Sequence, residues 1–336
     1  MSGRGVDEAR AEVRLFASII TPTLGRPETL RRALASVLAQ DMAEWEVIVV
    51  DDGEGEGAEA AEAIGDPRIR AHRSTGVGQV DARNSALVHA RGAFVCWLDD
   101  DDWWEDPGHL SRLRREAGGR RVLAFRGGWI VYEAAGEVAG RREVFDHPAS
   151  ERSLRRDNTI LTSSIAYPRA AHRELGLLDR ELGGYCDWDF MLRMCDAGFA
   201  LRKLSGLGVC YSIHGSNASA EAASPARRAG FERFAAKHSL EIEISNHLGI
   251  HKMRSAMSGP QGWSEVDGAL EREFAFEGFP QAIAFVNRVA ELAEAEDHHP
   301  DITISYSRVT LRWRSHSADA ITERDRELAL RSAALG

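Results

Sequence analysis

Two groups of side chains in this 336-residue chain have the types and spacing to do chemistry. The first is the run Trp97-Leu98-Asp99-Asp100-Asp101-Asp102-Trp103-Trp104. Four consecutive carboxylates repel one another, and a solvated acidic turn is the plainest account of such a run. A divalent cation would offset the repulsion, because hard cations take oxygen ligands. Mg²⁺ or Mn²⁺ held by few carboxylates completes its shell with a ligand's phosphates. The second group is His298-His299-Pro300, with Glu294 and Asp297 just before it, Tyr306, His316 and Asp325 after it. Two adjacent histidines alone would read as a surface pair. A third at the end of the following strand can be returned to them. With no cysteine and no well-placed carboxylate set beside them, acid–base work fits better than a metal site, since imidazole exchanges protons near neutral pH.

The elements that position the acids are legible. Residues 15–20 and 46–50 are short β-rich runs, and between them Leu30, Leu34, Val37 and Leu38 recur at helical spacing behind Pro27 and Glu28. Strand, helix, strand in about forty residues is a βαβ unit, with a parallel pair and a right-handed crossover. Residues 84–90 read as a helix and 93–98 as another buried strand, so the first half is an open α/β sheet. Ligands of such sheets sit beyond the carboxyl ends of the strands, where Asp51-Asp52 and Asp99 to Asp102 fall. Past His214 the texture turns small and polar, and 226–257 reads as a helical connection. From Gly262 an alternating strand, a helix from about 280 to 296, a single strand over 302–315 and a helix from about 322 to 334 form a small α+β domain.

Composition bounds the function. A 43% apolar, 28% charged chain is globular and long enough for two domains. Net charge −10 argues against a broad nucleic-acid-binding face. The four cysteines form no CxxC pair, so neither a zinc site nor a disulfide framework is expected. The first 14 residues are polar and no apolar run reaches about 18 residues, so a cytoplasmic protein without a membrane span is expected.

The segments ASIITPTLGRPETLRRALASVLAQ, WEVIVVDDG, GQVDARNSAL and GAFVCWLDDDDWWEDPGHL, in that order, resemble a GT-A fold, family 2 glycosyltransferase over about 14–215. The resemblance implies a Rossmann-like, nucleotide-sugar-binding domain and a nucleoside diphosphate sugar donor, with UDP as the expected nucleotide. It places Thr21 and Asp52 at the nucleoside and Arg83 on the nucleotide side. Asp99 and Asp101 form the DxD, with Asp101 the direct ligand of Mn²⁺ or Mg²⁺ and Asp102 a neighbour. GGYCDWDFMLRMCDAGF is similar to the family's acceptor-side motif, which makes Asp187 the general base and Asp189 the fallback. Capping of the following helix is the competing account of Asp187. His214 falls where relatives place a histidine near metal or diphosphate. A single base facing a displaced nucleotide implies inversion at the anomeric carbon.

The stretch 260–334 is similar to the pterin-4a-carbinolamine dehydratases. Glu294, His298, His299, Pro300, Tyr306, His316 and Asp325 stand at that family's spacing. The resemblance implies a pterin pocket lined by the three histidines, with His299 transferring the proton and His298 and His316 assisting. It also implies a homo-oligomer formed through this domain. The expected organisation is a transferase domain (14–215), a helical linker (216–258) and a dehydratase-like domain (259–336). The tail is read as an active lyase, or else as an oligomerising or acceptor-recruiting module. The acceptor stays open.

Overall fold

A computed structural model describes residues 15–134, 137–214, 224–244, 246–251, 262–315 and 321–335. The chain forms two compact units, which divide at Ile250 and His251. Among the described residues no helix is long and apolar enough to cross a membrane.

The first unit is built on a nine-stranded sheet. Its strands are β1 (Ala17–Thr23), β2 (Trp45–Asp51), β3 (Ile69–Arg73), β4 (Phe94–Trp97), β5 (Trp103–Trp104), β6 (Val122–Ala134), β7 (Glu137–Phe145), β8 (Ala166–Pro168) and β9 (Ala200–Ile213). They lie in the order β3-β2-β1-β4-β8-β6-β9-β5, with β7 paired to β6. The four strands β3, β2, β1 and β4 are parallel, and β8 joins β4 antiparallel. The expected βαβ unit is present: α1 (Pro27–Leu38) starts at a proline and buries Leu30, Ala33, Leu34 and Val37. Both faces of β1 are covered, so Ile19 enters the core on one side of the sheet and Ile20 the core on the other. That is why the parallel strands read as continuous apolar runs. Register sets Thr23 opposite Asp51, and Ile20 opposite Trp97. The loops after β1, β2 and β4 therefore leave the sheet at one edge.

The helices that follow α1 are α2 (Glu56–Glu62), α3 (Gln79–His89), α4 (His109–Glu116), α5 (Glu151–Leu154), α6 (Ala171–Leu175) and α7 (Cys186–Asp196), of which α3 and α7 pack in the core that takes Ile20. Helix α8 (Pro225–Lys237) corrects the expected linker over 216–258. Its Phe231 and Phe234 are buried in the first unit's core, and at Gly230 an added Cβ would lie 2.8 Å from the Leu182 carbonyl oxygen. Apolar burial thus makes 225–237 part of the first unit, which runs to Ile250.

The second unit is a four-stranded antiparallel sheet, ordered β10 (Ser264–Val266), β11 (Ala269–Ala275), β13 (Arg308–Trp313), β12 (Asp301–Ser305). A long helix (Phe279–Ala295) and a terminal helix (Glu323–Ala333) supply the rest of its core. Phe285, Val289 and Ala293 pack with Leu270, Phe274, Val309, Leu311, Trp313 and Leu328. The single strand expected over 302–315 is instead a hairpin. Tyr306 takes a positive φ of 52° at the turn, so β12 folds back on β13 with Ser305 opposite Arg308.

Candidate functional sites

The open edge of the first sheet is hollowed into a cavity of about 760 Å³, which Asp52, Arg83, Asp99, Asp101 and Asp187 help to line. Each acid pair at a strand end divides its labour. After β2, Asp51 is buried and accepts from the Gly53 and Ala58 N–H groups at 2.7 and 2.9 Å, which ties down the start of α2 (Glu56–Glu62). Asp52 lines the cavity and accepts from the Gly78 N–H at 2.6 Å. Gly78 has a φ of 91°, a conformation that favours glycine, and it begins α3.

The four-aspartate run divides likewise. Asp99 pairs with Arg83 at 2.5 Å. Arg83 is itself buried, accepted by Gln79 Oε1 at 2.8 Å and stacked over Trp97. Asp100 is buried against Arg26 at 2.5 Å and Thr23 Oγ1 at 2.7 Å, and burial pushes its carboxyl up to about 6. Asp101 meets Arg26 at 2.6 Å and His214 Nε2 at 3.0 Å. Burial opposes its ionisation, but the His214 hydrogen bond and the Arg26 guanidinium outweigh it and hold the carboxyl below its usual range. Asp102 turns inward, accepting from Ser163 Oγ at 2.5 Å and the Ser212 N–H at 2.9 Å. Burial and the charges of Asp101 and Asp99 push it well above the usual range. Three acids of the run, Asp99, Asp100 and Asp101, thus reach the cavity, and Asp102 anchors β9.

Asp187 lies in the first turn of α7 and lines the same cavity. Its Oδ2 accepts from Thr162 Oγ1 at 2.8 Å and its Oδ1 from the Trp188 N–H at 2.7 Å. The residue capping that helix position is Tyr185, with no side-chain cap bond. Beside it Cys186 is a buried thiol that burial raises to about 12.

Two expected residues are placed elsewhere. Thr21 is buried within β1 and does not line the cavity, whereas Pro22 and Thr23 do. It shares a face of β1 with Thr23 but lies two residues back from the strand's end, where the fold covers it. Asp189 is no substitute base: it is fully buried and held by Arg193 at 2.8 Å, Lys237 at 2.9 Å and His238 at 2.9 Å. Those contacts tie α8 to α7. Sequence reasoning missed Arg26, Thr162, Arg227 and His247, all cavity residues. Arg26 could have been noticed as the only cation in the loop after β1, where such sheets contact ligands. The others stand in no motif.

Asp99, Asp101 and His214 offer hard oxygen donors and one imidazole, a set suited to Mn²⁺ or Mg²⁺ with the shell completed by phosphate. Among the described residues no three His, Cys, Asp or Glu side chains already converge on a common metal position. Asp101 and His214 do meet at 3.0 Å, and the guanidinium of Arg26 supplies the positive charge there. The donors fit a cation that shares them with a diphosphate.

In the second unit a smaller cavity, about 370 Å³, is lined by His298, His299, Pro300, Asp301, Arg314 and Ser315 together with Asp297. His298 Nε2 lies 2.7 Å from Asp325 Oδ1, and its ring stacks on Trp313 at 5.7 Å. Asp325 is fully buried and accepts in addition from Ser315 Oγ at 2.8 Å, the Thr322 N–H at 2.7 Å and Thr322 Oγ1 at 2.7 Å. Burial opposes its charge, but these bonds and His298 hold it below the usual range. An ionised carboxylate only accepts, so His298 Nε2 carries a proton toward it. His299 is exposed, with Nε2 3.0 Å from Glu294 Oε1. Tyr306 is remote from these groups in sequence register: it stands at the hairpin turn, stacked on Phe279 at 6.5 Å. His316 lies outside the described residues.

Comparison with known proteins separates the two units. The family profile described as glycosyl transferase family 2 matches residues 18–175, and that described as pterin 4 alpha carbinolamine dehydratase matches 246–335. A pterin-4-alpha-carbinolamine dehydratase of Picosynechococcus sp. is 51% identical over 86 residues, 26% of this chain and 94% of the relative. The glycosyltransferase YwdF of Bacillus subtilis is 27% identical over 236 residues, 68% of this chain and 87% of the relative. The crystal structure of S. aureus TarS 1-349 in complex with UDP-GlcNAc superposes with a TM-score of 0.52 at 19% identity, covering 68% of each chain. The mannosyltransferase PcManGT of Pyrobaculum calidifontis, in complex with GDP-Man and Mn²⁺, gives 0.51 at 17% identity, covering 70% of this chain and 68% of that one. These two show that the first unit has the GT-A-like fold.

Proposed function

The chain belongs to the pterin-4a-carbinolamine dehydratase family through residues 246–335 and carries a family 2 glycosyltransferase domain over 18–175; on that premise we propose that its first unit transfers a sugar, with inversion, from a UDP-sugar to a hydroxyl acceptor. The observation that carries the reading is one cavity lined by Asp99, by Asp101, which His214 contacts, and by Asp187. Such a cavity can hold a diphosphate at its acidic corner and a nucleophile beside Asp187.

The chain's residues divide the work. Asp52, fixed by the Gly78 N–H, faces the nucleoside. Arg83 holds Asp99 in place from a buried position, so the carboxylate is oriented before any ligand arrives. Asp99, Asp101 and His214 would hold Mn²⁺ or Mg²⁺, which when bound neutralises the departing diphosphate. Asp187 takes the proton of the acceptor hydroxyl as that oxygen bonds to the anomeric carbon and the bond to the diphosphate breaks. The N–H of Trp188 and the hydroxyl of Thr162 aim its two oxygens, and each oxygen keeps a lone pair for the incoming proton. Removing a positioned general base costs about 10²–10⁴ in rate. Asp187→Asn is expected to bind UDP as the natural chain does and to transfer from UDP-sugars at least about a hundredfold more slowly. Full turnover by that variant would remove Asp187 from the scheme.

The second unit supports a lyase reading. His298 is locked by Asp325 and Trp313, and His299 stands exposed at the same small cavity. For a 4a-hydroxytetrahydropterin, loss of water needs a proton delivered to the leaving hydroxyl and one taken from the ring nitrogen, and His299 is placed to exchange it. Dehydration by the full chain is expected to fall on His299→Ala. A rate equal to buffer for the natural chain would leave the unit as an oligomerising or ligand-recruiting module.

A further inference from the structure

Behind the acidic corner stands a carboxylate that the transfer scheme does not use. Glu133 is the next-to-last residue of β6, and its side chain is only 4% exposed. Strand β6 runs parallel to β9, and their register ends with Tyr132 opposite Ile213. Glu133 and His214 are therefore the next residues of the two strands. One carboxylate oxygen, Glu133 Oε1, accepts from Arg32 Nη2 of α1 at 2.6 Å and from Ser212 Oγ of β9 at 2.7 Å. The same Arg32 nitrogen donates to the Asp101 backbone carbonyl at 2.8 Å, and the guanidinium lies over the Trp103 ring at 4.2 Å. The Ser212 N–H in turn donates to Asp102 at 2.9 Å. A closed circuit of hydrogen bonds thus joins the acid run to β9 through Arg32, Glu133 and Ser212.

A buried ion pair is a poor device for stability alone, because desolvation of its charges offsets their attraction. What this one supplies is geometry. Glu133 draws donors from α1 and β9 onto a single oxygen, so neither element shifts without breaking a bond to it. The segments fixed in this way carry Asp101 and His214, whose side chains meet at 3.0 Å. Arg32 holds the backbone of Asp101 itself, and Ser212 stands two residues before His214. Glu133, Arg32 and Ser212 are not among the residues that line the cavity, so they act on a ligand only through those that do.

We infer that Glu133 is a positioning residue of the cation site: through Arg32 and Ser212 it presets the geometry in which Asp101 and His214 receive a divalent cation. The inference rests on the transferase reading of the same corner. Mg²⁺ demands a nearly ideal octahedron, whereas Ca²⁺ accepts a flexible shell. Mg²⁺ binding therefore depends on Glu133 more than Ca²⁺ binding does. A carboxylate that only added negative charge would favour both ions alike.

The test titrates Mn²⁺ into the full chain in saturating UDP and follows the free ion by electron paramagnetic resonance, with Mg²⁺ and Ca²⁺ as competitors. Glu133→Met is similar in length and removes the shared acceptor. It is expected to weaken Mg²⁺ about 10–100-fold, the usual worth of a group that orients metal ligands, and Ca²⁺ less. Glu133→Gln, whose amide oxygen can accept from Arg32 and Ser212 without the charge, is expected to recover most of the loss. Ser212→Ala, which cuts one arm of the circuit, is expected to move the preference between Mg²⁺ and Ca²⁺ in the same direction and by less. The melting temperature of each variant checks its folding. Unchanged Mg²⁺ binding in Glu133→Met, equal weakening of both ions, or a Gln variant no better than Met overturns the inference and leaves the transferase reading standing. If Glu133→Met does not fold, an unchanged ion preference in Ser212→Ala overturns it instead. Failure of the natural chain with UDP to bind Mn²⁺ at all removes the transferase reading first, and the inference with it.

Discussion

Removing Arg26 tests how the acidic corner is tolerated. Its guanidinium contacts Asp100 at 2.5 Å and Asp101 at 2.6 Å, and their side chains are only 1% and 11% exposed. Breaking a buried pair by deleting one partner costs about 3–5 kcal/mol, because a buried charge is left uncompensated. Arg26 is itself 34% exposed, so water screens part of its contribution. A cost of about 2 kcal/mol follows for Arg26→Gln. For a unit of this size that is a fall of about 4–8 °C in melting temperature. The same reasoning fixes the response to metal. With the guanidinium gone, a divalent cation becomes the main source of positive charge at that corner, and UDP completes its shell. Differential scanning calorimetry of the full chain, with and without Mn²⁺ and UDP, should therefore show a larger ligand-induced rise in Arg26→Gln than in the natural chain. A variant that melts within about 1 °C of the natural chain, or whose rise with ligand is no larger, would refute the electrostatic account of the corner.

Two further expectations concern residues away from the chemistry. Asp189→Asn removes the common partner of Arg193, Lys237 and His238, and the loss of a fully buried charge is expected to cost about 3 kcal/mol or more in urea unfolding; UDP affinity under native conditions should be preserved, and a variant as stable as the natural chain would contradict the strut role. His109 is buried against Trp104, and burial lowers its pKa to about 3. Such a ring takes up its proton on unfolding, so its contribution is whole above about pH 6.5 and drains away as pH falls toward 3. His109→Phe should gain about 2 kcal/mol on the natural chain between pH 7 and pH 5, and parallel stability profiles over that range would exclude the assignment.

The reach of the sequence differed between residues for physical reasons. The βαβ unit was legible because burial on both faces writes apolar runs at strand positions and a helical period in Leu30, Leu34 and Val37. The acid run was legible because like charges in succession need a reason. Its division was not: Asp102 turns toward Ser163 and Ser212, which lie 61 and 110 residues away. Arg26, Asp189 and Glu133 were misread or missed on the same ground, since each takes its meaning from a partner distant in sequence. Thr21 and Thr23 share one face of β1, and distance from the strand's end decides which of them meets the cavity. In the second unit the turn at Tyr306 divided an apparently continuous strand, because a positive φ at a tyrosine leaves no mark in an alternating pattern. Helix α8 read as linker because its own periodicity is weak, and its place is fixed by Phe231 and Phe234 in a core supplied by other elements.

The central claim is that Asp99, Asp101 and His214 receive a cation together with a nucleotide diphosphate. Isothermal titration of UDP into the full chain, with and without Mn²⁺, tests it most directly when Asp101→Ala is titrated alongside. The account predicts UDP binding that depends on Mn²⁺ and is lost in the variant while the fold persists. Binding of equal strength without metal, and in the variant, would contradict it.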